Sequence, residues 1–220
     1  MNQVHFPAEI PEKIQNGLQH LDITRDTCMV KKLAQYLELL DEWNRAYNLT
    51  AIRNTEQMVS YHILDSLSAL PFLRGDLCLD MGTGAGLPGL ILAIADPSRH
   101  WVLMDSNHKK IRFVTYALQA LDIGNAETVC QRVEDYRPAS LFSTVITRAY
   151  GSLDKLIRNT LHLVLSDGRL LAMKGPNVSE EMHYLENYTE NVQILSHPLS
   201  VPGIPEDRWL LEICPITVVK

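Results

Sequence analysis

The chain is 220 residues long and 46% hydrophobic, and its 20 Lys and Arg against 26 Asp and Glu leave a formal charge of −6. Such a length buries a sizeable core and suits one α/β domain with an extension better than two independent domains. The acidic total excludes nonspecific coating of DNA driven by counterion release, but not recognition of a structured RNA.

No charged start runs into an apolar stretch, and no apolar run approaches the ~20 residues that span a bilayer, so a cytoplasmic protein without membrane contact is expected. Cys28, Cys78, Cys130 and Cys214 are scattered without a CxxC pair. They suggest neither a zinc site nor a disulfide framework and are expected to be reduced core thiols. Charge is uneven: residues 176–212 carry seven acids with Arg208 as their only base, whereas residues 99–112 carry four bases with Asp105 as their only acid. A polyanionic partner is expected to approach the second region.

In chain order, residues 1–75 read as a helical extension. Val30, Leu33, Leu37 and Leu40 recur at steps of three and four, and Val59, Ile63, Leu67 and Leu70 repeat the pattern. Between them "EWNRAYNLTAIRN" (residues 42–54) is expected to be a loop ending in a helix cap at Asn54 or Thr55. Over residues 76–220 the period changes. "LCLDM", a helix through "PGLILAIA", "WVLMD" and a helix through "KKIRFVTYALQAL" are followed by strands at "AETVCQ", "STVITRA" and "GRLLAMKG". Repeated βαβ units imply a parallel sheet covered on both faces. "VQILSHPLSV" and "RWLLEICPITVV" around "PGIPED" predict a closing hairpin that adds an antiparallel edge.

The stretch "LDMGTGAGLPG" (residues 79–89) joins the first strand to its helix and carries Gly82, Gly84, Gly86 and Gly89. A structural turn needs only one or two glycines for positive φ, so the alternation points to backbone held against a ligand. Gly84, Gly86 and Gly89 satisfy the GxGxxG of a dinucleotide site, with Asp105 about 20 residues on to hold a ribose, as in an NAD(P)-dependent oxidoreductase. Asp80 with Gly82, Gly84 and Gly86 also gives DxGxGxG, an acid at a strand end ahead of a turn that lets S-adenosylmethionine lie against the backbone. That pattern uses Asp80 and every alternating glycine. Asp105 ends the next apolar run at the carboxyl edge beside the loop, where open parallel sheets bind ligands, and it also suits a helix N-cap.

The chain resembles the bacterial small-subunit ribosomal RNA (guanine-N7) methyltransferases, also called glucose-inhibited division protein B. The resemblance runs over nearly the whole sequence. It rests on "WNRAYNLTAI" (43–52), "HILDSL" (62–67), "LDMGTGAGLPG", "LMDSNHKKIRF" (103–113), "RVED" (132–135), "TRAYGSL" (147–153) and "MKG" (173–175). The two motifs ahead of the glycine loop are the most specific, since cofactor binding does not require them. The resemblance implies a class I S-adenosylmethionine-dependent methyltransferase fold, Rossmann-like, with seven mostly parallel strands and an antiparallel last one. It further implies transfer of a methyl group to N7 of a guanine, number 527 in the usual count of 16S rRNA, in the small ribosomal subunit. Cofactor contacts are implied at Gly82 and Leu87, at Val133 and Glu134 beside the adenine, and at Arg148 ending the fourth strand. Ala85 departs from the family's more frequent proline, and Thr147 from a common serine.

Guanine N7 carries an in-plane lone pair and no proton, so its attack on a sulfonium methyl asks for alignment and exclusion of water rather than a general base. The sequence agrees by omission: an (N/D)PPY stretch for adenine N6 is replaced by "TRAYGS", and no nucleophilic Cys for pyrimidine C5 lies between Cys130 and Cys214. Arg148 can aim its fork at guanine O6 or at the cofactor's carboxylate. Lys109, Lys110, Arg112 and Arg132, with Arg45 and Arg53, suit a phosphate-contacting rim, and Tyr150 a platform for an extruded base. His62 and Asp65 share a helix face but lack a third ligand, so no metal site is expected; they are assigned to bracing the glycine loop or shaping the RNA entrance. A non-catalytic ribosome-binding factor is a further reading, and a monomer the default.

Overall fold

The computed structural model describes residues 9–24, 26–176, 178 and 192–216. Helix α1 (Ile10–His20) buries Ile10, Ile14 and Leu18 on one face. Helix α2 (Thr27–Tyr47) starts at Asp26, whose carboxylate accepts from the amides of Cys28 and Met29, satisfying donors that the first turn leaves free. The loop expected from residue 42 begins only at Asn48, which is left-handed and closes the helix. Tertiary packing extends the helix: Trp43 lies 5.6 Å from the Phe113 ring and 5.2 Å from that of Tyr116. Asn54 caps α3 (Thr55–Met58) by accepting from the Gln57 amide. The chain then runs through a π-helical stretch, Val59–Leu64, into α4 (Asp65–Leu67).

Seven strands form one sheet: β1 (Leu77–Met81), β2 (His100–Asp105), β3 (Ala126–Cys130), β4 (Phe142–Arg148), β5 (Val164–Lys174), β6 (Val192–Leu199) and β7 (Arg208–Pro215). Their order is β3-β2-β1-β4-β5-β7-β6. Pairs from β3 to β5 are parallel, with α5 (Gly89–Ala95), α6 (His108–Ala120) and α7 (Leu153–Thr160) among the connections. Strand β7 is antiparallel to both β5 and β6. The hairpin therefore threads its second strand inward and leaves its first at the rim. Burial explains the order: Leu210, Leu211 and Ile213 of β7 are fully buried on successive faces, as an interior strand requires, while β6 is largely exposed.

Leu33 and Leu37 of α2 share one hydrophobic cluster with Leu90 of α5, Trp101 of β2 and Phe113 of α6, so the helical extension and the sheet are built on a common core. Leu79, Val145, Leu170 and Leu211 belong to a second cluster. Of the four thiols only Cys78 is a core group, where burial pushes its pKa up to about 12. Cys28 is exposed and Cys130 and Cys214 are half-buried, against the expectation of four core thiols. Among the described residues no helix is long and apolar enough to cross a membrane.

Candidate active site

Strand β1 ends between β2 and β4, where the sheet order reverses, and the chain leaves it through the glycine loop at the carboxyl edge. Gly82, Gly84 and Gly86 have φ of +73°, +61° and +92°, a region L side chains rarely adopt. Their surroundings divide them. A Cβ on Gly82 would meet nothing within 4 Å and one on Gly84 only the Gly82 carbonyl at 3.9 Å, whereas one on Gly86 would lie 2.9 Å from Leu90 Cβ. On Gly89 it would stand 2.5 Å from both Asp80 Cβ and Leu103 Cδ2. The first two keep a cradle open; the other two let α5 close on the sheet.

Asp80 lies beneath this cradle, fully buried. Its Oδ2 accepts from the Gly89 amide at 2.7 Å and the Thr83 hydroxyl at 2.6 Å, while its buried Oδ1 has no hydrogen-bond partner among the described residues. Burial pushes its pKa up to about 6. The amides of Gly82 and Thr83 both donate to the Met104 carbonyl at 2.8 Å, the Tyr36 hydroxyl of α2 donates to the Ala85 carbonyl at 2.8 Å, and the Thr147 hydroxyl donates to the Met81 carbonyl at 2.7 Å. Both departures from the family pattern fall on these braces. Ala85 contributes only backbone, and Thr147 uses the hydroxyl that a serine shares.

Beside the cradle, Asp105 accepts from the Gly84 amide at 3.0 Å through Oδ2 and from the Asn107 amide at 2.8 Å through Oδ1; the Lys110 ammonium stands 3.6 Å from Oδ2. The N-cap of α6 is Asn107, whose side chain accepts from the Lys109 amide. A cavity of about 200 Å³ opens here, lined by Gly82, Asp105, Arg132, Val133, Glu134 and Tyr150 among others. A larger cavity of about 610 Å³ shares Tyr150 with it and is walled by Thr50, Tyr61, His62, Asp65, Arg148, Arg208 and Trp209, with others. Ala149, between Arg148 and Tyr150, is left-handed at φ +58°, a conformation costing a non-glycine residue ~1 kcal/mol.

Arg148 donates from Nη1 to the Tyr61 carbonyl at 2.8 Å and to Asp65 Oδ2 at 3.2 Å. The other oxygen of Asp65 lies 3.2 Å from Arg208 Nε, at ion-pair distance but outside hydrogen-bond geometry. The Arg208 guanidinium sits 5.6 Å from the centre of the Tyr61 ring. His62 places Nε2 3.1 Å from Thr50 Oγ1, and its buried Nδ1 has no partner among the described residues. Burial, helped by the Arg148 charge, pushes its pKa down to about 4, so the imidazole is neutral at neutral pH.

The family model for rRNA small subunit methyltransferase G matches residues 29–207. The chain belongs to the rRNA small subunit methyltransferase G family. It is 53% identical to the ribosomal RNA small subunit methyltransferase G of Legionella pneumophila, over 80% of this chain and 82% of that one. It is 46% identical to the protein of the same name from Nitrosococcus oceani, over 92% and 94%. Its fold is similar to that of the magnesium protoporphyrin IX methyltransferase of Synechocystis, with a TM-score of 0.57 at 18% identity over 87% of this chain and 98% of that one. The fold is a class I methyltransferase fold, and family membership sets the oxidoreductase and non-catalytic readings aside.

Within this methyltransferase, Gly82, Asp105, Arg132, Val133, Glu134 and Tyr150 come together at the smaller cavity, and Arg148 stands in the wall of the larger one. Gly84 meets the site through its amide on Asp105. Leu87 is buried in the core cluster. Lys109 and Arg112 are exposed on α6, and Arg132 on the cavity lip, whereas Lys110 leans on Asp105. Arg53 donates to the Asn44 carbonyl and to Asn48 Oδ1, and Arg45 pairs with Asp41. His62 and Asp65 bond to Thr50 and Arg148, so they shape the larger cavity instead of bracing the loop. Sequence reasoning missed Tyr36, Tyr61 and Arg208 as parts of the site. Arg208 did carry a signal, as the lone base in an acidic stretch. Among the described residues no group of His, Cys, Asp or Glu is arranged to hold a metal ion.

Proposed function

We propose that this methyltransferase transfers the methyl group of S-adenosylmethionine to N7 of a guanine, position 527 of 16S rRNA, in the small ribosomal subunit. The observation that carries the reading is the open backbone cradle at Gly82 and Gly84, beside a small cavity that shares Tyr150 with a larger one. The cradle fits the cofactor: a Cβ on Gly82 would project into otherwise empty space. When bound, S-adenosylmethionine supplies an electrophilic methyl group on a sulfonium. Gly82 and Gly84 let the backbone approach it, Asp105 is the residue to hold its ribose, and Val133 and Glu134 flank its adenine.

The acceptor atom has no proton to lose, so the protein's work is alignment and exclusion of water. Tyr150, where the cavities meet, is placed to stack on the incoming base, and its hydroxyl is steadied by the Asn159 amide at 3.1 Å. The names of the relatives support small-subunit rRNA as substrate, and the exposed bases Lys109, Arg112 and Arg132 suit its phosphates. The test has two stages. S-adenosylhomocysteine should raise the melting temperature where NAD does not. Labelled methyl should then pass to small subunits lacking the mark, or to naked 16S rRNA, and map to N7-methylguanine. No transfer to either substrate overturns the proposal.

A further inference from the structure

We infer that Trp43, Tyr47 and Tyr116 form a platform on which an unpaired base of the substrate RNA stacks, outside the two cavities. The inference rests on the function proposed above, which makes the partner an RNA. Among the described residues the exposed large apolar side chains include two aromatic ones, Tyr47 and Tyr116, at 42% and 43% exposure. Both lie against the same half-buried ring: Trp43 stands 5.3 Å from Tyr47 at 31° and 5.2 Å from Tyr116 at 34°. A single exposed tyrosine needs no explanation. Two gathered on one indole, from α2 and from α6, make a continuous aromatic surface. Packing on Phe113 accounts for Trp43, but not for two tyrosines left half in water.

The charges around the rings choose the occupant. Lys109, Arg112 and Tyr116 follow one another at steps of three and four along α6, so they share a face, and the helix carries no acid. On α2, Asp41, Glu42 and Arg45 all leave the helix at least a quarter-turn away from Trp43, and Arg45 neutralises Asp41. Helix α6 starts beside Asp105, and from Asn107 to Tyr116 it rises ~14 Å along its axis. A strand leaving the cofactor site along α6 therefore meets the two cations first and the rings next. Phosphates on cations with a splayed base on aromatic rings is how single-stranded nucleic acid is held. A duplex, its bases stacked on one another, gains nothing from the rings. The platform also gives work to the start of "WNRAYNLTAI", whose later residues Thr50, Ala51 and Ile52 wall the larger cavity.

The test titrates the full chain by fluorescence anisotropy against a labelled single-stranded RNA of about ten nucleotides, the same sequence as a duplex, and naked 16S rRNA. Tyr47→Ala with Tyr116→Ala should weaken the single strand and the 16S rRNA at least about tenfold, and the duplex less than about twofold. That loss should be equal at about 50 and 200 mM salt, whereas Lys109→Gln with Arg112→Gln should flatten the salt dependence itself. Tyr47→Phe with Tyr116→Phe should bind as wild type does. Tyr47→Leu with Tyr116→Leu, which keeps apolar area but removes the ring faces, should not. In methyl transfer the alanine pair should raise KM about tenfold at unchanged kcat, with S-adenosylhomocysteine affinity unchanged. Equal single-strand affinity in the alanine pair and wild type overturns the inference. Full rescue by leucine overturns it as well, and marks an apolar face for a protein partner instead. Wild-type protein that binds the single strand yet methylates no rRNA overturns the function proposed above, not the platform.

Discussion

His62 and Asp80 are both buried and titrate in opposite senses, so replacing each should tilt the pH dependence of stability in opposite directions. The His62 pKa falls from 6.5 to about 4, chiefly because burial disfavours the imidazolium. Below pH 6.5 the unfolded chain therefore takes up the proton first, and stability present above that pH is lost as it falls toward 4. The Asp80 pKa rises from 3.8 to about 6 because burial disfavours the carboxylate. Here the folded chain takes up the proton first, and stability grows as pH falls through 6 toward 3.8. At ~1.4 kcal/mol per tenfold difference in proton affinity, each group contributes roughly 2 kcal/mol between pH 7 and pH 4.5, and the two nearly cancel in the wild type. His62→Gln keeps a partner for Thr50, and Asp80→Asn keeps an acceptor for the Gly89 amide. Relative to wild type, His62→Gln should gain ~2 kcal/mol on going from pH 7 to 4.5, and Asp80→Asn should lose ~2 kcal/mol. Urea unfolding of the unliganded protein, followed by tryptophan fluorescence, would register each as a midpoint change of roughly 1 M. Variant and wild-type midpoints that run parallel across this pH range would refute the assignment of buried, oppositely shifted groups.

The glycine loop offers a contrast between ligand and packing. Gly82→Ala adds a methyl where nothing stands, at a backbone cost of ~1–2 kcal/mol, and should weaken S-adenosylhomocysteine at least about tenfold by calorimetry; Gly89→Ala drives its methyl against Asp80 and Leu103 and should instead lower the melting temperature sharply. Tyr36→Phe strands the Ala85 carbonyl in the core and should cost ~1–2 kcal/mol in urea unfolding, whereas Thr147→Ser should stay within about 0.5 kcal/mol because the hydroxyl to Met81 survives. Neutralising Lys109 and Arg112 together should raise KM for the small subunit and flatten its salt dependence, with cofactor affinity unchanged, in initial-rate assays across a salt series.

What was legible in the sequence is what short stretches of chain decide. Strands β1 to β5 are brief apolar runs separated by helices, and their parallel order follows from that alternation. The glycine loop and Asp105 announce themselves because bare backbone and a strand-end acid are local features. The rest is long-range. Nothing within "RWLLEICP" says that β7 will slip between β5 and β6; the four consecutive buried positions of that strand reflect neighbours on both sides. Helix α2 overruns its expected end because Trp43 finds Phe113 and Tyr116 far along the chain. The partners of Arg148 lie 87 and 83 residues away, and no periodicity connects them. Asp80 is the instructive case. It tilts the sequence toward DxGxGxG as an acid next to a ligand, yet it works from below, holding the loop's shape through Thr83 and Gly89.

The helical extension is the least separable part of this enzyme. Tyr36 of α2 braces the glycine loop at Ala85, and the π-helical stretch supplies the Tyr61 carbonyl that bonds Arg148, so residues before β1 support the loop and wall the larger cavity. The same segment covers Leu90, Trp101 and Phe113 with Leu33, Leu37 and Leu40, each fully buried. Stripping it would return those three leucines' partners to water at ~1.5–3 kcal/mol for each large apolar side chain, against a total stability of ~5–15 kcal/mol for a typical domain. A chain beginning at residue 76 should therefore lose its near-ultraviolet circular dichroism and its cooperative melt, and should bind no S-adenosylhomocysteine. A truncated chain that folds cooperatively and still binds would show that the sheet forms its cofactor site unaided, and would relegate the extension to substrate recognition alone.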